Sequence, residues 1–236
     1  MRREPHEWQS PALGRPMRLL WYGDRGRPIL AFPTSMGHAS QNEDFGLIGG
    51  LADRIDGGEV QFCCVDAVDE EAWYNRNAHP EVRVRRHDAY DRYLAAEVAP
   101  FVRRQAGRAD LVCYGASFGG YHAANFGLRH PDLVSRLVAF SGLFDVHRFL
   151  DGYWDELCYF HCPAAYVANY PPEWVERLGR MGIVIATGEH DHLASETRTF
   201  TDLLRRKGVP VHAELWPGVF GHDWEFWIEN LRRFVP

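Results

Sequence analysis

The feature that most constrains this chain is a recurring unit: a short, nearly all-apolar run followed by a longer stretch with helical spacing. The runs are residues 19–22, 29–32, 60–65, 111–114, 137–140, 183–186 and 211–216. Helical patterns cover about 43–56, 82–106, 118–129, 173–181, 193–207 and 223–234. Strands alternating with helices need crossover connections, which predicts an α/β fold: a mostly parallel, doubly wound sheet with helices on both faces. The later runs lack polar alternation, as expected of strands buried on both sides. Runs 19–22 and 29–32 are joined by Gly23-Asp24-Arg25-Gly26-Arg27, which reads as a hairpin turn. Pro100 lies inside the second helical stretch and should kink or divide it, because it lacks an N–H and its ring meets the carbonyl one turn back.

The 236 residues suffice for one full domain with a sizeable core, predicted to span 17–236 after an N-terminal extension, 1–16. At 46% hydrophobic and 25% charged residues, disordered and fibrous classes are excluded. A net charge of −6 argues against a protein that coats nucleic acid or an anionic membrane, so neither is an expected partner. Lys207 is the single lysine, and the surplus of Arg over Lys reads as usage bias. No apolar stretch approaches the length of a membrane span. The basic start MRREPHEWQS has no apolar run behind it, unlike a secretory signal. Five cysteines (63, 64, 113, 158, 162) form an odd set, and the first three sit in strand-like runs as small core hydrophobes. A reduced, cytoplasmic protein is the expectation.

In open α/β sheets ligands bind beyond the carboxyl ends of the strands, so the loops after strands are where chemistry belongs. Run 111–114 leads into Gly115-Ala116-Ser117-Phe118-Gly119-Gly120 and then a helix rich in small residues. This is G-x-S-x-G in its required setting, strand before and helix after. A sharp turn there needs unusual backbone angles, and glycines two residues to either side remove Cβ atoms that would clash. The turn lifts the Ser117 hydroxyl out of the sheet as a candidate nucleophile and sets the Phe118 amide at a helix N-terminus, where it can donate to an oxyanion. A Gly-rich turn capped by serine shares these letters by chance; the strand and helix around them give them chemical meaning. Phosphate-binding alternatives need G-x-x-x-x-G-K-[ST] or G-x-G-x-x-G, and neither occurs.

A serine hydroxyl needs a neighbouring base, and in this architecture the partners follow in the order Ser, acid, His. Of the later histidines only His222 lies in the loop after the last run, whereas His212 lies within that run. The acid should follow run 183–186, which continues Thr187-Gly188-Glu189-His190-Asp191-His192. Asp191 is the first choice, accepting the imidazole Nδ1–H and fixing the tautomer; Glu189 and Asp145 are rivals. A metal site built from 189–192 with His212 or His222 is disfavoured, because adjacent residues on a short loop rarely converge on one ion and no H-E-x-x-H is present. The second oxyanion donor should come from the loop after run 29–32, with the Ser35 amide first and Thr34 and Met36 as neighbours.

These residues resemble the α/β-hydrolases, and within them the esterase D-like branch of feruloyl esterases and antigen 85-type acyltransferases. Gly115–Gly120, Gly188-x-x-Asp191 and Gly221-His222-Asp223-Trp224 with Trp227 carry the likeness, in order and spacing from about residue 18 to the C-terminus. Phe32-Pro33-Thr34-Ser35-Met36-Gly37 stands where many members have a His-Gly or Gly-rich stretch. The resemblance implies hydrolysis of carboxylic esters without a cofactor, on a small acyl ester; acyl transfer or thioester cleavage would use the same residues. A non-catalytic binding protein of this fold typically lacks a triad member, and here all three candidates are present. Residues 142–181 form a cap-like segment, too short for a separate lid domain but aromatic. Trp154 in this segment, Trp73 and Tyr74 after run 60–65, and Trp224 are the candidate substrate-binding aromatics. Folding of the segment over the core with its own hydrophobes is an equal alternative.

Overall fold

The computed structural model of the protein describes residues 1–235. Its strands are β1 (Arg3–Ser10), β2 (Arg15–Tyr22), β3 (Arg27–Ala31), β4 (Val60–Val65), β5 (Leu111–Ala116), β6 (Val134–Phe140), β7 (Gly182–Gly188) and β8 (His212–Trp216). They form one sheet in the order β1-β2-β4-β3-β5-β6-β7-β8. From β4 to β8 every neighbour is parallel, while β2 is antiparallel to both β1 and β4. This is the α/β architecture expected, with no separate lid among the described residues.

Period-two alternation divides each strand between two cores. Leu19, Trp21, Leu30, Cys63, Leu137 and Ile185 face one side, beneath helices Pro80–Tyr93, Ala99–Ala106, Phe118–Arg129 and Ala194–Arg206. Leu20, Tyr22, Ile29, Phe62, Val138 and Val184 face the other, beneath Leu47–Gly50, Ala52–Asp56 and Trp224–Phe234. With apolar partners on both faces there is no reason for polar alternation, which is why the runs read as continuous. All five cysteines are free and buried. No helix among the described residues is long and apolar enough to cross a membrane.

Three expectations are corrected. Gly23–Arg27 is not a hairpin turn: β4 inserts between β2 and β3, pairing antiparallel with one and parallel with the other. Segment 1–16 is not a bare extension, since residues 3–10 supply the edge strand β1. Its alternate residues are half-buried, and Trp8 donates to Glu97 Oε2 at 2.7 Å while Ser10 donates to Oε1 at 2.8 Å. Stretch 43–56 is not one helix but short turns broken at Gly46, whose φ of 86° is left-handed. Pro100 acts as expected: Leu94–Val98 winds as a π-helix just before it, dividing the helical stretch. That wider turn carries Glu97, the anchor of β1.

The cap-like segment is four short helices, His147–Phe149, Glu156–Phe160, Pro163–Ala168 and Pro172–Leu178. Phe144, Phe149 and Tyr166 are buried, so it folds down over the core with its own hydrophobes.

Candidate active site

Ser117 joins β5 to helix Phe118–Arg129 with φ 55° and ψ −125°, a strained conformation for a residue with a side chain. The flanking glycines are obligatory. A Cβ on Gly115 would lie 2.0 Å from the Gly119 oxygen, and one on Gly119 would lie 2.4 Å from the Pro33 oxygen. The turn is locked by Ser117 N–H to the Phe140 oxygen (2.9 Å) and Gly120 N–H to the Ser117 oxygen (3.0 Å). The Phe118 amide has no partner among the described residues.

His222 follows β8 in a loop that passes close against the end of β7: Gly221 has φ 65°, and a Cβ there would meet Gly188 N at 2.9 Å. Its Nε2 lies 3.1 Å from Ser117 Oγ, and its Nδ1 lies 3.0 and 3.1 Å from the two Asp191 oxygens. An ionised carboxylate only accepts, so Nδ1 carries the proton and Nε2 presents its lone pair to the Ser117 hydroxyl. Asp191 is buried and also accepts from Thr187 Oγ1 at 2.9 Å and from the Leu193 amide at 2.8 Å. Burial pushes its carboxyl up, but the bonds from His222 and Leu193 outweigh that and hold it well below the usual carboxylate range.

The rival acids are engaged elsewhere. Glu189 is exposed and accepts from the Gly218 amide at 3.0 Å, and Asp145 pairs with His147 at 2.5 Å. His212 bonds Glu214 at 2.8 Å. Asp191, His192 and His222 do bring donor atoms within 4.8 Å of one another, as do Asp145, His147 and Cys162. In the first group, however, His222 and Asp191 already hold each other and Ser117.

The loop after β3 alternates its amides. Thr34 N–H donates to Gln41 Oε1 at 2.7 Å and Met36 N–H to Asp69 Oδ2 at 3.0 Å, whereas the Ser35 amide between them has no partner among the described residues. Met36 adopts a left-handed φ of 61°. The Ser35 hydroxyl meets the Tyr74 hydroxyl at 2.8 Å, and the Tyr74 ring packs edge-on to Phe118 at 5.1 Å.

Of the expected aromatics, Tyr74 and Trp224 are half-buried beside this group. Trp224 stacks on Phe45 (5.0 Å) and meets Trp227 edge-on (5.4 Å), and Trp227 in turn lies 5.2 Å from His222. Trp73 is a correction. It is fully buried, because the loop after β4 turns inward and seats its ring among His87, Tyr121 and Phe149, so no ligand can reach it. Trp154 is exposed and stacks on His147 at 4.2 Å, with no ring or hydrogen-bond contact to Ser117, Asp191 or His222 among the described residues.

Sequence reasoning missed Ser141. Its hydroxyl donates to the Gly221 oxygen at 2.9 Å and accepts from Trp227 Nε1 at 3.2 Å, so it holds the His222 loop in place. It also missed Thr187, Gln41 and Asp69. Only Thr187 has a local signal, a hydroxyl four residues before the acid.

The arrangement can pass a proton from a serine hydroxyl to an imidazole whose far nitrogen faces a carboxylate, with two free amides nearby. Sheet order and site together define an α/β-hydrolase. The chain belongs to the Esterase family, whose sequence profile matches residues 55–236, and is a carboxylic ester hydrolase. No curated protein matches it in sequence. Among solved structures it is similar to a ferulic acid esterase (TM-score 0.79, 16% identity, covering 100% of this chain and 96% of that one). It is also similar to the S-formylglutathione hydrolase FrmB of Staphylococcus aureus (0.71, 18%, 99% and 94%). A third is the ferulic acid esterase of Anaeromyces mucronatus in complex with ferulic acid (0.72, 14%, 99% and 89%). At these identities the likeness is one of fold.

Proposed function

We propose that the protein hydrolyses a small carboxylic ester through an acyl-enzyme on Ser117. The observation that carries this reading is the continuous chain Ser117 Oγ–His222 Nε2 (3.1 Å) and His222 Nδ1–Asp191 (3.0 Å), on a serine whose backbone is strained to present it. Ser117 Oγ attacks the acyl carbonyl while His222 takes its proton. The carbonyl oxygen becomes an oxyanion, received by the Phe118 and Ser35 amides, which no protein group occupies among the described residues. Collapse breaks the C–O bond, and His222 returns the proton to the departing alkoxide. Water then repeats the sequence on the acyl-enzyme, releasing the acid and restoring Ser117. Asp191 keeps Nδ1 protonated and stabilises the imidazolium at each stage.

Tyr74 and Trp224 are the aromatics positioned to line the substrate. Binding of ferulic acid by the Anaeromyces esterase of like fold supports an aryl acyl group here. The test is intact mass after fluorophosphonate treatment, wild type beside Ser117→Ala. One adduct on the wild type and none on the variant is expected. An unlabelled, folded wild type, or a labelled variant, would overturn the reading.

A further inference from the structure

We propose that Asp69 is a positioning residue for the oxyanion site, fixing both of its donors through one buried carboxylate. The inference rests on the reading of the Phe118 and Ser35 amides given above.

Asp69 lies in the loop after β4, far in sequence from both donors, and its side chain is 1% exposed. Its two oxygens point to different elements. Oδ2 accepts from the Met36 amide at 3.0 Å. Oδ1 faces His122 Nε2 at 2.9 Å, and the His122 side chain is likewise 1% exposed. His122 stands one turn beyond Phe118 on the helix that begins at the elbow, so Phe118 and His122 share a face. Their rings meet edge-on at 5.0 Å, and Phe32, at the root of the Ser35 loop, stacks on His122 at 5.8 Å. One carboxylate therefore ties the loop carrying Ser35 to the helix carrying Phe118.

The Asp69 backbone adds a second hold. Its carbonyl accepts from the Ala72 amide at 3.2 Å and the Tyr74 amide at 3.0 Å. The turn so formed places the Tyr74 hydroxyl 2.8 Å from Ser35 Oγ. Ser35 is thus gripped through the following amide by the Asp69 carboxylate and through its own hydroxyl by Tyr74. Thr34 N–H is turned to Gln41 and Met36 N–H to Asp69, which leaves the amide between them free. Met36 holds a left-handed φ of 61°. A residue with a side chain keeps such a conformation only where its surroundings over-determine it, and the bond to Asp69 supplies that constraint.

The choice of carboxylate matters because both neighbours donate. An amide at position 69 could still accept from Met36, but its NH2 would face His122 Nε2. His122 would then have to carry its proton on Nδ1, which is buried without a partner among the described residues. Asp69→Asn should therefore recover only part of what Asp69→Ala loses.

The experiment compares wild type, Asp69→Ala, Asp69→Asn and Tyr74→Phe on an aryl ester and the matched thionoester, per fluorophosphonate-titrated serine. The thionoester develops charge on sulfur, a longer and weaker acceptor, so the ratio of the two kcat values reports donor placement. A purely structural defect scales both substrates alike. Asp69→Ala is expected to lower kcat for the ester about 10²-fold, the scale of losing one oxyanion donor, with KM within about threefold and the ratio falling in step. Asp69→Asn should fall between Asp69→Ala and wild type, and Tyr74→Phe should show the smallest loss. If Asp69→Ala does not fold, the other two variants carry the test by the same ratio. Labelling of wild type but not Ser117→Ala, with an unchanged ratio in the Asp69 and Tyr74 variants, would overturn this inference and leave the serine reading standing. Failure of wild type to label would overturn both.

Discussion

Gly119→Ala and Gly127→Ala are the same substitution in the same helix, and the structure predicts opposite outcomes. A Cβ on Gly119 would sit 2.4 Å from the Pro33 oxygen and 3.0 Å from the Phe32 oxygen, both backbone atoms of the loop that carries Ser35. Cβ contacts under 3.0 Å are not tolerated, so loop and helix must separate by at least about 0.6 Å, and by about 1 Å to reach ordinary contact. A displacement of this order between groups that must act together costs about 10²-fold in rate, with overpacking costing about 1–3 kcal/mol of stability. A Cβ on Gly127 would instead meet Leu137 and Val134 side chains at 3.7 Å, an ordinary contact. Replacing a helical glycine there should gain up to about 1 kcal/mol. The assay is kcat and KM on a soluble aryl ester, with urea unfolding for stability. Gly119→Ala should lose about 10² in kcat with KM little changed, while Gly127→Ala keeps full activity and unfolds at equal or higher urea. Comparable kcat values for the two variants would refute the claim that the elbow and the Ser35 loop are held at a fixed spacing.

Ser117→Ala and His222→Ala should each lower kcat by about 10⁶-fold, and Asp191→Asn by about 10⁴-fold, in steady-state ester hydrolysis; an Asp191→Asn enzyme with full activity would remove it from the relay. Ser141→Ala removes the bond to the Gly221 oxygen and the acceptor of Trp227 Nε1, so kcat should drop about tenfold while serine labelling persists; wild-type kcat would show that the His222 loop needs no such hold. Asp191 also links stability to pH. Its folded pKa lies below the unfolded value of about 3.9, so its contribution is fully present above that value and is lost as pH falls toward the folded pKa. The urea-midpoint gap between wild type and Asp191→Asn should therefore be wide at pH 7 and shrink progressively as pH falls below ~4, and a gap unchanged by acid would contradict the ionised assignment. Burial pushes the Cys158 thiol up to about 12 and the Cys162 thiol up to about 11. A thiol reagent should thus find none of the five buried cysteines in the native protein and all five in denaturant; rapid native reaction would refute their burial.

What the sequence makes legible here is what a single segment can encode. The elbow is one such case: G-x-S-x-G between a strand and a helix is a local steric solution, and the Cβ clashes at Gly115 and Gly119 are the reason for its letters. Asp191 and His222 are found by position after β7 and β8, and their distances to each other and to Ser117 then agree with a relay. The inner strands are equally legible, because burial on both faces leaves only apolar residues to choose from. β1 is not, since its sequence REPHEWQS is polar on an exposed face and gains its place through pairing with β2 and through Trp8 and Ser10 bonding to Glu97, far away in the chain. Trp73 and Tyr74 show the limit most sharply. They are adjacent aromatics with the same claim on a substrate pocket, yet one is sealed under Phe149 and the other reaches Ser35. The difference lies in the turn that Asp69 builds with its own carbonyl, and in the loop and helix its carboxylate joins. Those partners lie 33 residues before Asp69 and 53 after it, so no local pattern could have marked it. In a parallel sheet the site is assembled from loops after different strands, and the residues that align those loops are the ones a linear reading is least able to see.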